Sequence, residues 1–313
     1  MDRRLFLLGG ALLAASALYL LPGLGPKWQF VLGLRATRLA GMLVVGAAVA
    51  VATVLFQTVS RNRILTPQIM GFDALFVLVQ TALVAGLGPV GFAGLPAAAK
   101  FTAEVGLLVA AALLLFGTLM GRGAQDVPRM ILTGVILGVL FRSASGFLAR
   151  VMDPNAFAVV QAQSQASFAK VQAGLLPWAA GFSLLAIMAA FLMALRLDVL
   201  ALGRTTAVSL GLAHDRVLRG ALALVAVLVA VATALVGPMA FLGLIVVALA
   251  RPLAGTDRHV PLMAHAIAVA CLMLVAGQWL FERVLSRQST LPAVVEFAGG
   301  LVFLFLLLKG RVR

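Results

Sequence analysis

The chain has 313 residues, of which 63% are hydrophobic and 11% charged, against roughly 25% charged in an ordinary soluble domain. Its 24 basic and 10 acidic side chains cannot cover a water-soluble protein of this size, so a soluble fold is excluded and a polytopic membrane protein is required. The formal net charge of +14 is spread between apolar runs rather than gathered into a basic patch with interleaved aromatics, which argues against nucleic acid as a partner.

An α-helix needs about 17 to 25 apolar residues to cross roughly 30 Å of hydrocarbon. Charges and Gly/Pro clusters then mark ten predicted spans, at 5–21, 39–59, 69–86, 103–120, 130–149, 174–195, 220–236, 239–250, 262–280 and 293–308. The predicted fold is an all-α helical bundle, a single transmembrane domain over 1–313 with no linker and no second domain. The first run, with Arg3-Arg4 before it and Ala15-Ser16-Ala17 near its end, has a competing reading as a signal peptide. The eighth run is too short to span alone, and Gly237-Pro238 before it implies a tight turn or a broken helix packed inside the bundle.

Orientation follows from the Lys/Arg asymmetry of short loops. With both termini inside, the cytoplasmic side collects Arg3, Arg4, Arg61, Arg63, Arg122, Arg129, Arg196, Arg204, Arg216, Arg219, Arg251, Arg258, Lys309, Arg311 and Arg313. The outer side collects only Lys27, Arg35, Arg38, Lys100, Arg150, Lys170, Arg283 and Arg287.

The inventory for catalysis is nearly empty. No GxxxxGK[ST], HExxH or GxSxG sequence occurs, so the chain is not expected to be an enzyme or to hold a nucleotide, and its energy source is a partner or an ion gradient. The lone Cys271 lies in an apolar run, and His214, His259 and His265 are scattered, so no metal site is expected. Ionisable residues inside spans are costly, which makes Asp73, Arg142 and Glu296 functional candidates; Asp73 and Glu296, each near a helix start, equally suit the helix dipole. Residues 196–219, rich in small residues with a break at Gly211, are long enough for two short helices and suit docking of a partner.

With these residues in view, the chain resembles the FecCD family, permeases of importer-type ABC transporters for ferric siderophores, haem and vitamin B12. The first matching block is RATRLAGMLVVGAAVAVATVLFQTVSRNRILTPQIMGFDAL, carrying Arg35, Arg38, Gly46, Gln57, Asn62, Pro67 and Gly71. LALGRTTAVSLGL follows, through Leu202, Gly203, Ala207, Leu210 and Gly211, and then GPMAFLGLIVVALAR with GTDRH, and LPAVVEFAGGLVFLFLLLK. The sequence departs from the family pattern at Arg63, Arg204, Val247-Ala248 and Thr290, which is read as a subfamily with its own ATPase. The ILTPQIMGFDAL wording and the missing Trp near Gln161 are most similar to permeases for catechol-type iron siderophores.

The resemblance implies a vitamin B12 permease-like fold and a set of partners. These are a cytoplasmic ABC ATPase dimer using ATP and Mg, a periplasmic or lipoprotein substrate-binding protein, and a second permease copy or paralogue, all within membrane lipid. Arg35, Arg38 and Arg283 would receive the binding protein. Leu202, Gly203, Arg204, Ala207, Leu210 and Gly211 would couple to the ATPase, and Gln57, Asp73, Arg142, Gln161, Glu296 and the neighbouring Gln163 and Gln165 would line the path or its gate. Vitamin B12 or haem is the alternative cargo, and a gradient-driven secondary carrier the alternative class; the latter should show paired broken helices, of which the sequence displays one Gly-Pro break.

Overall fold

The computed structural model describes residues 3–23, 26–120, 127–284 and 291–308. Arg122, Arg287, Thr290, Lys309, Arg311 and Arg313 lie outside the described residues. The described chain is helical almost throughout: α1 (Arg3–Leu20), α2 (Trp28–Ser60), α3 (Phe72–Ala93), α4 (Ala97–Met120), α5 (Val127–Val151), α6 (Pro154–Ser164), α7 (Leu176–Leu192), α8 (Ala194–Ala201), α9 (Arg204–Ser209), α10 (His214–Val236), α11 (Leu242–Ala254), α12 (His259–Val284) and α13 (Leu291–Leu308). Seven of these are long and apolar enough to cross a membrane by themselves, an eighth if α7 and α8 form one broken span, and α11 is a shorter apolar helix. Backbone amides satisfied within each helix are what hydrocarbon demands. Polar side chains obey the same rule: Thr53, Thr58, Thr81 and Ser145 each donate a hydroxyl to the carbonyl four residues earlier.

The centre of the bundle is α2, whose segment 41–60 is almost wholly buried. It is surrounded by α7, α10, α11 and α12, while α1 packs on α12, α4 on α10, and α5 across α3. Small residues make these approaches possible where packing replaces the hydrophobic drive. A Cβ on Gly46 would meet the backbone of Ala270 and Cys271, and one on Gly243 would fall 2.0 Å from Thr53 Oγ1. Large apolar side chains at the periphery, such as Phe6 and Leu13 on α1, Ile136 and Phe147 on α5, and Leu185 and Leu192 on α7, point outward.

Ten helices correspond to the ten runs read from the sequence, and their boundaries differ where charges were taken as ends. Helix α2 begins at Trp28, not at 39, and continues through Arg35 and Arg38 because both have partners: Arg35 donates to the carbonyls of Leu20 (2.9 Å) and Pro22 (2.7 Å), and Arg38 lies 3.8 Å from Glu282. Helix α4 likewise begins before Lys100. The sixth run breaks at Met193, where α7 turns by 60° into α8.

Two non-helical stretches enter the bundle. After α2 ends at Arg61 in a left-handed conformation (φ 49°), residues 62–66 and a 3₁₀ turn at Pro67–Met70 bring Gly71 against the middle of α5, where its Cα would be 3.0 Å from a Cβ on Gly138. After α10 ends at Gly237 (φ 98°), residues 238–241 lead into α11 beside Glu296 and Gly299 of α13. The two stretches touch, Thr66 Oγ1 donating to the Ala240 carbonyl at 3.3 Å. Helix α3 also contains a break, at Gly88-Pro89.

Candidate functional site

Three polar regions lie at three levels of the bundle. The face on which α1 begins is termed the terminal face, since Arg4 there donates to the carbonyls of Pro252 and Leu253 at the end of α11. The opposite face, with the α1–α2 turn and α6, is the distal face.

At the terminal face, the segment 196–219 folds into α8 and α9, joined by a turn at Gly203 (φ 94°), and reaches α10 through Gly211 (φ 81°). Ala207 is buried, whereas Leu202, Val208 and Leu210 are more than half exposed. Arg204 pairs with Asp215 at 3.6 Å, a contact within this segment. Asp198 on α8 accepts the His259 backbone N–H (2.8 Å) and lies against His259 Nδ1, and His259 Nε2 lies 2.7 Å from Thr58 Oγ1. Segment 196–219 is thereby tied to α12 and α2. Gln57, expected on the path, sits in this layer: its Nε2 donates to the Arg63 carbonyl (2.7 Å) and its Oε1 accepts from Arg251 (2.9 Å).

In the middle of the bundle, the structure gathers Asp73, Arg142 and Glu296 from α3, α5 and α13. The charges of Glu296 and Arg142 both act on the Asp73 carboxyl. The Arg142 guanidinium lies beside the Gly71–Gly138 crossing, two residues before Asp73, and Glu296 accepts the Ala240 backbone N–H. The three groups lie near the meeting point of both non-helical stretches without a direct ion pair between them, a polar locus that no single span could supply. Asp73 also occupies the first turn of α3, the place near a helix start on which the dipole reading rests.

At the distal face, Arg35 and Arg283 both reach the Pro22 carbonyl, so Arg35, Arg38 and Arg283 form one patch around the α1–α2 turn. Gln161 is exposed on α6, whose first turn is capped by Asp153 accepting from the amides of Asn155 and Ala156. The loop after α6 is fastened by Lys170, which donates to the carbonyls of Ala162, Gln163 and Gln165, and by the Ser167 amide on the Val236 carbonyl. Burial, and next the positive charge of Lys100, hold the Lys170 ammonium below the ordinary lysine range.

Beneath that loop lies a cavity of about 480 Å³, whose lining includes Gln80 and Glu104, two polar residues absent from the candidates drawn from the sequence. Gln80 and Glu104 are almost fully buried in it, Gln80 Nε2 donating to Glu104 Oε1 at 2.6 Å, and Lys100 Nζ stands 3.9 Å from Glu104 and 3.7 Å from the centre of the Phe92 ring. The Lys100–Glu104 spacing of one helical turn is the signal that would have exposed them. Among the described residues, no group of three or more His, Cys, Asp or Glu side chains could hold a metal ion.

Comparison with known proteins gives a consistent picture. The profile of the FecCD transport family matches residues 7–309. The chain is 37% identical over 306 residues to the petrobactin import system permease protein YclO of Bacillus subtilis (strain 168), covering 98% of this chain and 97% of that one. It is 28% identical to the petrobactin import system permease protein FatC of Bacillus anthracis, over 91% of this chain and 81% of the other. A solved structure described as an inward-facing conformation of a metal-chelate type ABC transporter superposes with a TM-score of 0.85 over 98% of this chain and 99% of that chain; at 22% identity the likeness concerns the fold.

Proposed function

Because the chain belongs to the FecCD transport family, and is therefore the membrane-spanning transport component of an ABC importer, we propose that its cargo is an iron–siderophore complex of the catecholate type, carried inward across the bacterial plasma membrane. The observation that carries the cargo is the end-to-end match with a petrobactin import permease, at 37% identity over nearly the full length of both chains.

In this reading the terminal face is cytoplasmic, with both termini there, and the distal face receives a soluble binding protein. Acidic residues on that protein would meet the patch of Arg35, Arg38 and Arg283, where charge steers docking although each exposed pair contributes only about 0 to 1 kcal/mol. An ABC ATPase dimer, consuming ATP with Mg, grips α8 and α9 and drives the change between outward and inward access. Leu202, Gly203, Arg204, Ala207, Leu210 and Gly211 supply that contact. A bulky chelate cannot thread the filled core around α2, so the path runs between this chain and a second permease copy or paralogue. Asp73, Arg142 and Glu296 are the polar groups that face it at mid-depth.

The test is uptake of radiolabelled iron by iron-starved cells with and without the chain, given a catecholate complex, a hydroxamate complex or haem, with labelled cobalamin in parallel. Uptake of the catecholate complex alone should fail without the chain, and fail equally when the partner ATPase is inactivated. Loss of haem or cobalamin uptake instead would overturn the cargo and keep the transporter.

A further inference from the structure

The terminal face carries a second feature beside the coupling helices. A cleft of about 540 Å³ opens between the end of α2, the flank of α8 and the loop joining α11 to α12. Its walls hold four arginines, Arg61, Arg63, Arg251 and Arg258, against two carboxylates, Asp198 and Asp257. Both carboxylates are already engaged. Asp257 accepts from Arg251 at 2.6 Å and from Arg63 at 3.2 Å, and Asp198 is held by His259. Arg61 and Arg258, both exposed, have no carboxylate partner among the described residues.

Arg61 is placed there at a cost. Among the described residues it is the non-glycine residue with positive φ, closing α2 in the left-handed conformation that glycine adopts freely. Its guanidinium lies over the turn between α8 and α9, 3.4 Å from where a Cβ on Gly203 would stand. A strained residue that carries an unpaired cation to the edge of a docking segment points to a ligand for that cation. Next to it Leu202, Val208 and Leu210 expose apolar surface at the aqueous end of the bundle, which marks a protein contact. The cleft is lined by Ala201 and Leu202 of the α8–α9 region together with the end of α2, so it adjoins the proposed docking segment.

We propose that this cleft is the electrostatic half of the ATPase docking surface: an acidic side chain or short acidic segment of the ATPase enters it and pairs with Arg61 and Arg258, beside the apolar contact of Leu202, Val208 and Leu210. The inference rests on the reading that an ATPase docks on α8 and α9. A load applied there reaches α12 and α2 directly through Asp198, His259 and Thr58.

The experiment titrates the full chain in lipid nanodiscs with the ATPase whose inactivation stops uptake, at low and at high salt. Variants are Arg61→Gly combined with Arg258→Gln, and separately Leu210→Asp. The double variant should weaken association at low salt about five- to tenfold and flatten its salt dependence. Its unfolding midpoint should hold or rise, because glycine suits the position of Arg61. Association and salt dependence equal to the parent, or a loss matched by a lower unfolding midpoint, would overturn the proposal. So would vesicles of phosphatidylglycerol, but not the ATPase, losing affinity for the double variant. If Leu210→Asp also binds as the parent does, the docking of an ATPase on this segment fails as well; if only the double variant is silent, this inference alone fails.

Discussion

At the scale of single residues, the tightest demands fall on glycines at helix crossings. A Cβ on Gly71 would stand 2.8 Å from the Gly138 Cα and 3.1 Å from the Gly134 carbonyl, all backbone atoms that cannot turn aside, and its φ of 90° adds strain for any other residue. Gly71→Ala should destabilise by about 3 kcal/mol and Gly138→Ala by less, measured as thermal unfolding in detergent. Gly243→Ala should cost about 1–3 kcal/mol, and Thr53→Ala in the same chain should restore part of it, because the 2.0 Å clash is with the Thr53 hydroxyl. The mid-bundle charges give a second prediction. Arg142 is exposed and makes no direct ion pair with Asp73 or Glu296, so Arg142→Gln should cost no more than about 1 kcal/mol, with a coupling to Glu296→Gln smaller still. A double-mutant cycle with no coupling energy would separate the three residues. Each was legible in the sequence as a charge inside an apolar run, but their grouping was not, since they come from helices far apart along the chain. Glu104 escaped because it stands at a predicted span edge, where a carboxylate looks ordinary.

At the scale of elements, hydropathy located ten apolar helices, not all of them long enough to span by themselves, and misplaced several ends. A charge marks a boundary only if it must reach water, and Arg35 satisfies its guanidinium on the carbonyls that end α1. Arg35→Ala should therefore loosen α1 from α2, costing about 1–2 kcal/mol, which hydrogen exchange of the 17–23 segment would report. Helix breaks behave differently from ends. Gly237→Ala puts a Cβ 2.9 Å from the Ala166 Cα and forbids φ 98°, so exchange should rise at 165–171, where the Ser167 amide leans on Val236. Unchanged protection there would show that the loop is held by Lys170 alone. The Gly237-Pro238 break was visible in the sequence, whereas the matching entry falls across the gap between the predicted spans at 39–59 and 69–86 and into the second of them. Nothing in its composition tells whether such a stretch lies outside the bundle or dips within it.

At the scale of the whole molecule, both faces carry arginine clusters, and under the proposed function each meets a soluble partner. The distal patch of Arg35, Arg38 and Arg283 is partly used in holding the α1–α2 turn, which fixes its guanidinium groups in place. Reversing Arg38 and Arg283 to Glu should reduce binding-protein association most at low salt, with little change in the affinity of the ATPase for the terminal face. Equal affinity at all salt concentrations would leave these arginines a purely structural role.

The sequence by itself determined the solvent, the helical architecture and the approximate spans, because hydrocarbon requires lipid-facing backbone amides to be satisfied internally and a long apolar run does this as a helix. Its blocks also carried the family, since the motifs at 35–75 and 200–212 are local in the chain. Only the tertiary structure decided which charges meet, that α2 is the buried axis, that two chain breaks touch inside the bundle through Thr66 and Ala240, and that Gln57 belongs to the terminal layer while Gln161 lies exposed at the distal one. Those facts depend on which faces of distant helices pack together, and small-residue helices that are apolar on every side carry no periodicity that names a partner.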